Sequence, residues 1–430
     1  MDTVLRLIKK LIPKKLFASL QPTYHRMWAW GSAVWYGYPS RKIKVVAITG
    51  TKGKSSTTEI VNALLEAGGK KTAMAGTIRF KVGDKVWPNK YKMSVPGRGF
   101  IQKFLKQAVD AGCEYAVLEM TSEAAKQYRH KYINYDALIF LNISPEHIES
   151  HGGFENYLKA KLSIAHALED SKKENKTIIA NADDKESEKF LNIDVSNKLK
   201  FWLKNAEPYT LDHFGSTFTY KNKIFRTHLQ GTFNISNILA AITYVQTQGV
   251  TLEQIQIGLD KLKEIAGRVQ KVTLPAENPL SKKQNFEVVV DYAHTADSLQ
   301  KLYSVFKDSR KIGVLGNTGG GRDTWKRPEM AKVANAECSH IILTNEDPYD
   351  EDPMKIINDM VPSITTTPYE IIMDRRAAIN KAISLAKPGD TVLISGKGTD
   401  PYIMEANGKK TPWSDYKVAQ EELEKVLAQK

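Results

Sequence analysis

Between Val45 and Thr58 an apolar run, Val45-Val46-Ala47-Ile48, gives way to Thr49-Gly50-Thr51-Lys52-Gly53-Lys54-Ser55-Ser56-Thr57-Thr58. The chemistry this composition suits is phosphate binding. Backbone N–H groups of a glycine turn, followed by a helix N-terminus, face an anion. Lys54 can reach the outer phosphates of a nucleotide, and the Ser55 hydroxyl can ligate Mg²⁺. The common phosphate-loop pattern has a glycine where this chain has Ile48; here the first glycine is Gly50, so the loop is a shortened variant. A lysine-rich strand-to-helix turn has a similar composition, but strand, loop and helix occur here in the order that phosphate binding requires.

Two further positions could join that chemistry. Glu119 ends the apolar run Tyr115-Ala116-Val117-Leu118, where a carboxylate can hold Mg²⁺ directly or through water. Taken alone, it is better read as a solvated strand-end acid. His147, in Asn142-Ile143-Ser144-Pro145-Glu146-His147, follows a second apolar run and could be a ligand or a hydrogen-bonded structural residue.

The elements that must carry these residues read as α/β. Apolar runs at 43–48, 115–118 and 137–141 suit buried parallel strands, with helices over 100–111 and after the glycine loop, where Ile60, Val61, Leu64 and Leu65 recur at helical spacing. Short alternating runs around Lys200–Arg226 suggest a small β excursion, and a helix is expected near Ile235–Thr247, ended by Gly249. A second series begins near Gly267, with strands at 287–291, 311–315, 340–344, 369–373 and 391–395. The expected fold is a phosphate-loop domain with a parallel sheet (43–266), then a doubly wound, Rossmann-like domain (267–430), with ligands at the carboxyl ends of the strands. Residues 1–42 form a separate basic, aromatic-rich arm.

Composition narrows the classes. A chain of 430 residues has room for two or three domains with proper cores. Its two cysteines, Cys113 and Cys338, form no CxxC pair, which argues against a disulfide framework or a cysteine-based zinc site and fits the cytoplasm. The net charge of +14 suits an anionic ligand, a nucleic acid or an anionic membrane. No RNA-binding aromatic motif accompanies it and the charge is spread along the chain, so no nucleic-acid partner is expected. In the arm, Val4, Leu5, Ile8, Leu11 and Ile12 recur at helical spacing among lysines and arginines until Pro13, which should kink the helix. Tyr24, Trp28, Trp30, Trp35, Tyr36 and Tyr38 follow. Such an arm suits peripheral contact with an anionic membrane through residues 1–40, or packing against the protein's own body. A monomer is expected.

Several of these segments together resemble the Mur ligases, ATP-dependent amide ligases that build the peptide of peptidoglycan. The segments are Gly50-Thr51-Lys52-Gly53-Lys54-Ser55-Ser56, Leu118-Glu119-Met120-Thr121-Ser122, Asn142–Gly152, Glu155–Lys161 and Gly231–Asn237. Asp291-Tyr292-Ala293-His294-Thr295, Gly319–Asp323 and Gly396-Lys397-Gly398 are most like the branch adding the third residue of that peptide. The resemblance implies ATP and Mg²⁺ as cofactors, with ATP phosphates on Lys54 and the Gly50–Ser56 backbone. It implies Mg²⁺ on Ser55 and Glu119, with His147 at a second metal position. Lys161 matches a lysine that is carbamylated in this family; a carbamate supplies anionic oxygens where an ammonium would repel metal, and its formation needs a depressed pKa. Asn234 and Asn237 match positions near adenine, Asp291 a ribose contact, and Arg268 a phosphate-contacting arginine on the domain that closes. Arg322, Glu346, Asp347, Tyr349, Gly396 and Asp400 match the surroundings of the amino-acid substrate, Arg322 at its α-carboxylate. The implied reaction activates an acceptor carboxylate as an acyl phosphate, which the incoming amine then attacks.

The chain also departs from the family pattern. Only 42 residues precede the first strand, where the family usually has a uridine-nucleotide-binding domain of about a hundred residues, which weakens the expectation of a UDP-linked acceptor and makes a lipid-linked one its alternative. Tyr349 stands where diaminopimelate-adding enzymes carry a carboxylate-binding arginine, and tyrosine cannot make that bidentate pair. Asp400 replaces a glutamate, Glu123 a histidine, and Ser94-Val95-Pro96 a threonine-rich run. The expectation is a ligase adding an amino acid, lysine or another, to a muramoyl dipeptide. A folylpolyglutamate-type ligase and a non-ligase ATPase or nucleic-acid-binding protein are the alternatives.

Overall fold

The computed structural model describes residues 14–97, 99–146, 148–321 and 323–429. The expected helix over 4–12, its kink at Pro13, and the side chains of His147 and Arg322 lie outside the described residues.

The first sheet has eight strands: β1 (Lys44–Thr49), β2 (Thr72–Ala75), β3 (Arg79–Val82), β4 (Lys85–Pro88), β5 (Tyr115–Glu119), β6 (Ala137–Phe140), β7 (Thr177–Asn181) and β8 (Asn197–Phe201). Their order is β4-β3-β2-β5-β1-β6-β7-β8, parallel except for the β2-β3-β4 meander at one edge. β1 lies at the centre, flanked by β5 and β6, so the turns after these three strands open side by side. Its apolar run is buried on both faces. Val45 and Ala47 join a core with Leu118, Leu138 and Ile164, while Val46 and Ile48 join another with Ile60, Leu64 and Ile238. This is why β1 reads as continuous rather than alternating. The meander, β7 and β8 were not legible in the sequence; β3 and β4 interleave charged with apolar residues, and β4 is largely exposed. The expected β excursion is a three-stranded antiparallel sheet, β9 (Tyr209–Asp212), β10 (Gly215–Tyr220) and β11 (Lys223–Thr227).

The second sheet contains β12 (Gln270–Lys271), β13 (Glu287–Val290), β14 (Lys311–Leu315), β15 (His340–Leu343), β16 (Tyr369–Ile371) and β17 (Thr391–Ile394), in the order β12-β13-β17-β14-β15-β16. All but β12 run parallel. Each sheet has its own cores, and this sheet buries Val288, Val290, Val314 and Ile394 on one face and Val289, Leu315 and Leu393 on the other. A hairpin, β18 (Tyr402–Met404) with β19 (Lys410–Pro412), stands beside it.

A buried ion pair ties the carboxyl ends of β15 and β17. Arg375 donates to both Asp415 oxygens at 2.8 and 2.7 Å, to the Ser395 carbonyl at 2.9 Å and to the Asn345 carbonyl at 3.4 Å. Both side chains are almost wholly buried. Asp415→Ala would leave a desolvated guanidinium without its carboxylate, an expected loss of about 3–5 kcal/mol. Thermal unfolding should show it, and the paired change Arg375→Met with Asp415→Ala should recover much of the loss. A single variant as stable as the parent would contradict this assignment.

Candidate active site

The Gly50–Gly53 turn leaves the end of β1, and the helix Lys54–Ala67 starts from it. Gly53 has φ +82°, a left-handed conformation that favours glycine. A Cβ there would lie 2.4 Å from Asn237 Oδ1, so the helix Thr232–Thr247 packs directly on the turn. Asn237 Nδ2 donates to Asn234 Oδ1 at 3.3 Å, and Asn234 donates to the Gln230 carbonyl at 2.8 Å. Asn142, just beyond β6, pins the turn from the other side. It accepts from Lys52 N through Oδ1 (2.9 Å) and from Thr51 N through its carbonyl (2.9 Å). The loop is therefore shaped by residues from two neighbouring elements.

Glu119, buried at the end of β5, receives the Ser55 hydroxyl at 3.2 Å. Thr77 holds the same carboxylate with its backbone N–H (2.8 Å) and its hydroxyl (2.9 Å). Thr77 Oγ1 is also 2.6 Å from Ser94 Oγ, which links Glu119 to the Ser94-Val95-Pro96 segment. Lys161, on the helix Phe154–Glu169, is buried and donates to the Gly50 carbonyl at 2.7 Å. Burial, reinforced by the nearby Lys54 ammonium, holds its pKa well below the usual lysine range. Lys54 turns back to donate to the Thr51 carbonyl at 2.8 Å. Burial lowers its pKa too; Glu119 and Glu146 oppose the shift, while Lys52 and Arg268 add to it.

The second sheet closes over this loop. Arg268 donates to Ser55 Oγ at 3.3 Å and lies over the Tyr292 ring at 4.6 Å. Lys52 Nζ reaches Thr295 Oγ1 at 2.9 Å and Glu146 Oε1 at 3.1 Å, and His294 Nε2 is also 3.1 Å from Glu146. Asp291 spends both carboxylate oxygens on backbone N–H groups, of Val269 and Ala293, each at 2.7 Å. It thereby fixes the turn carrying Arg268.

Glu346, Asp347, Tyr349, Gly396 and Asp400 gather beyond β15 and β17. Glu346 accepts from Thr318 Oγ1 at 2.9 Å, while its Oε2 is buried with no hydrogen-bond partner among the described residues. Gly396, at φ +108°, makes room for that carboxylate, since a Cβ there would lie 2.2 Å from Oε2. Burial raises the Glu346 pKa against the pull of Lys397 and Arg375. Asp347 pairs with Lys397 Nζ at 2.9 Å. Lys92, from the loop after β4, pairs with Asp347 at 2.6 Å and Asp400 at 2.9 Å, bridging the two sheets' territories.

Lys54, Ser55, Glu119, Lys161 and Arg268 thus share one site, and the acid-rich set occupies another part of the same closure. Sequence reasoning missed Lys92 and Thr77, and it passed over the Glu146–His294 contact although both residues lay in quoted motifs. Among the described residues, no three His, Cys, Asp or Glu side chains converge as a metal site. Of the four expected Mg²⁺ ligands, the described ones are one hydroxyl (Ser55), one carboxylate (Glu119) and one lysine (Lys161); the His147 side chain lies outside the described residues.

A phosphate loop on a parallel sheet, closed by a second, mostly parallel sheet that delivers an arginine to the loop's serine, defines a two-part nucleotide-dependent enzyme. The Mur ligase middle-domain model matches residues 48–245, and the model for the Mur ligase, glutamate ligase domain matches residues 278–398. The chain belongs to the Mur ligase family and is an acid–amino-acid ligase, an ATP-dependent peptide ligase. Mur ligases use ATP and Mg²⁺. It is 34% identical over 384 residues to UDP-N-acetylmuramoyl-L-alanyl-D-glutamate–2,6-diaminopimelate ligase of Bacillus velezensis, covering 86% of this chain and 76% of that protein. It is 33% identical over 412 residues to UDP-N-acetylmuramyl-tripeptide synthetase of Roseiflexus, covering 89% and 79%. A solved UDP-N-acetylmuramoyl-L-alanyl-D-glutamate–2,6-diaminopimelate ligase superposes with a TM-score of 0.59 at 26% identity, covering 89% and 78%. Mycobacterium tuberculosis folylpolyglutamate synthase superposes at 0.67 and 15% identity, covering 88% and 93%, a likeness of fold alone.

Proposed function

We propose that this chain joins a free amino acid to the carboxylate of a muramoyl dipeptide, or a close analogue, in peptidoglycan synthesis. The observation that carries this reading is the closure of Arg268 and Lys52 with Lys54 and Lys161 around the Gly50–Ser56 loop. Burial and mutual repulsion among these cations lower both buried lysines' pKa values, and a triphosphate relieves that repulsion. The Ser55 hydroxyl and the Glu119 carboxylate are hard oxygen donors of the kind Mg²⁺ takes. ATP and Mg²⁺, when bound there, supply a transferable phosphoryl group and charge to stabilise its transfer.

The chain's own residues do the rest. Asn142 holds the shape of the loop by taking the Thr51 and Lys52 N–H groups, Asn237 packs against Gly53, and Thr77 orients Glu119. Lys54 and Arg268 neutralise charge on the outer phosphate while the acceptor carboxylate attacks phosphorus and ADP leaves. The neutral amine of the amino acid then attacks the acyl carbon, phosphate departs with the C–O bond electrons, and the surplus amine proton passes to solvent. A carbamylated Lys161 would turn a repulsive neighbour of Lys54 into an attractive one. Closure excludes water from the acyl phosphate.

The amino acid follows from the acid-rich set. Asp347 and Asp400 already accept an ammonium, that of Lys92, and Tyr349 offers no bidentate partner for a side-chain carboxylate. A substrate with a side-chain ammonium and no second carboxylate, such as lysine, suits this pocket better than diaminopimelate. The test is phosphate release across a panel of amino acids with UDP-linked and lipid-linked muramoyl dipeptides. Release should require both substrates, and lysine should exceed diaminopimelate by tenfold or more, about the worth of one lost or gained charged hydrogen bond. Preference for diaminopimelate would overturn the pocket assignment. Release driven only by a folate and glutamate would overturn the acceptor.

A further inference from the structure

The helix Lys14–Trp35 touches the body along one edge. Ser32 and Ala33 are buried, and the helix packs near the helix Phe100–Asp110. At 3.6 residues per turn, Leu20, Met27, Trp28, Trp30, Val34 and Trp35 fall on the opposite face. All six are exposed, Trp35 to 83% and Met27 to 65%. Tyr24 lies on the same face, edge-on to Trp28 at 6.3 Å. Of the two sequence readings of this arm, covering the protein's own apolar surface does not describe these residues, because their face turns away from the body.

The charge of this stretch of sequence is one-sided. Residues 1–42 carry eight lysines and arginines against a single acid, Asp2. At the root of the helix, Arg26, Arg41, Lys131 and Lys172 line a cavity of about 560 Å³ with Tyr38 and Tyr132. Its one acid is Asp170, whose carboxylate is 3.5 Å from Lys131 Nζ. Arg41 also lies over the Tyr38 ring at 4.3 Å.

We propose that this helix face docks on an anionic phospholipid bilayer, with its tryptophans and Met27 at the acyl boundary and the cationic cavity against the phosphate headgroups. Exposed tryptophans beside lysines and arginines, with almost no acids, match the chemistry of a membrane interface. A second copy of the chain fits less well: joining two such faces brings like-charged clusters together, which opposes association. The contact is peripheral, since among the described residues no helix is long and apolar enough to cross a membrane.

The experiment is co-sedimentation of the full chain with vesicles of phosphatidylglycerol and phosphatidylcholine, against phosphatidylcholine alone, at two salt concentrations. Binding should require the anionic lipid and weaken with salt. It should fall by about tenfold or more in Trp28→Ser/Trp35→Ser, and by about fivefold for each charge removed in Arg41→Gln or Lys131→Gln. Thermal melts of the variants should match the parent, since all four side chains lie at the surface or line an open cavity. Equal binding to both vesicle types, or undiminished binding by the tryptophan variant, would overturn the proposal. So would a concentration-dependent dimer that the tryptophan changes abolish while vesicles go unbound; that result assigns the face to a second copy.

Discussion

Lys161→Ala is expected to lower amino-acid-dependent phosphate release by about 10²–10³-fold or more, the scale on which removing one preorganised charge-stabilising group acts. Lys161 is too buried to be a solvated helix lysine, yet among the described residues it has one hydrogen bond, to the Gly50 carbonyl at 2.7 Å. An ammonium there faces desolvation and the Lys54 charge, which together lower its pKa. The neutral amine is the form that adds CO₂, so the same burial that makes the ammonium costly favours a carbamate. With ¹³C-bicarbonate, the parent should give a carbamate resonance that Lys161→Ala lacks. The sign with pH follows: acidification protonates Nζ and releases CO₂, so the resonance should fade as pH drops and persist as pH rises. Added bicarbonate should not restore the alanine variant, because no amine remains to carry the carbamate. Undiminished turnover in that variant would refute the role given to Lys161.

The parts legible in the sequence were those that local chemistry dictates. The loop could be read because glycine, lysine and hydroxyl residues must follow a buried strand to make a phosphate cradle, and the helix after it showed its apolar stripe at Ile60, Val61, Leu64 and Leu65. Strand ends were read one residue long at Leu141, Asp291, Thr344 and Ser395, although each still donates its N–H to a neighbouring strand, to Thr49, Ile394, Leu315 and Val314 respectively. At Asp291 the backbone still donates to the Ile394 carbonyl and accepts from Gly396 N, while the carboxylate holds Val269 and Ala293.

The unread parts were pairings between distant segments. Lys92 sits in an irregular loop at φ +51°, where no periodicity marks it, and its partners lie on the second sheet. Asn237 was noted for its motif, but its contact with the Gly53 position depends on how the helix Thr232–Thr247 crosses the loop. The helix Lys14–Trp35 was not foreseen as an element. It carries Pro22 in its interior, where the missing N–H and the ring normally break a helix. Its aromatics were legible as a composition, but which way they faced was not.

Lys54→Met is the second change expected to remove nearly all turnover, by about 10²–10³-fold or more, and it separates charge from fold. Methionine keeps most of the lysine's length and apolar stem, so the contacts along the start of the helix Lys54–Ala67 are largely retained. What goes is the ammonium, which now donates to the Thr51 carbonyl and must swing outward to meet a phosphate. Because burial and the Lys52 and Arg268 charges already disfavour that ammonium, its removal should leave the melting temperature unchanged or slightly higher. ATP affinity, measured by calorimetry in the presence of Mg²⁺, should fall along with the rate. Ser55→Ala should instead lose Mg²⁺ dependence of binding first, since its hydroxyl donates to the Glu119 carboxylate, the other hard oxygen at that point, while accepting from Arg268. If Lys54→Met retained activity within tenfold of the parent while folding normally, the outer phosphate would have to be stabilised by Lys52 and Arg268 alone. The loop would then orient the nucleotide without acting on the group transferred.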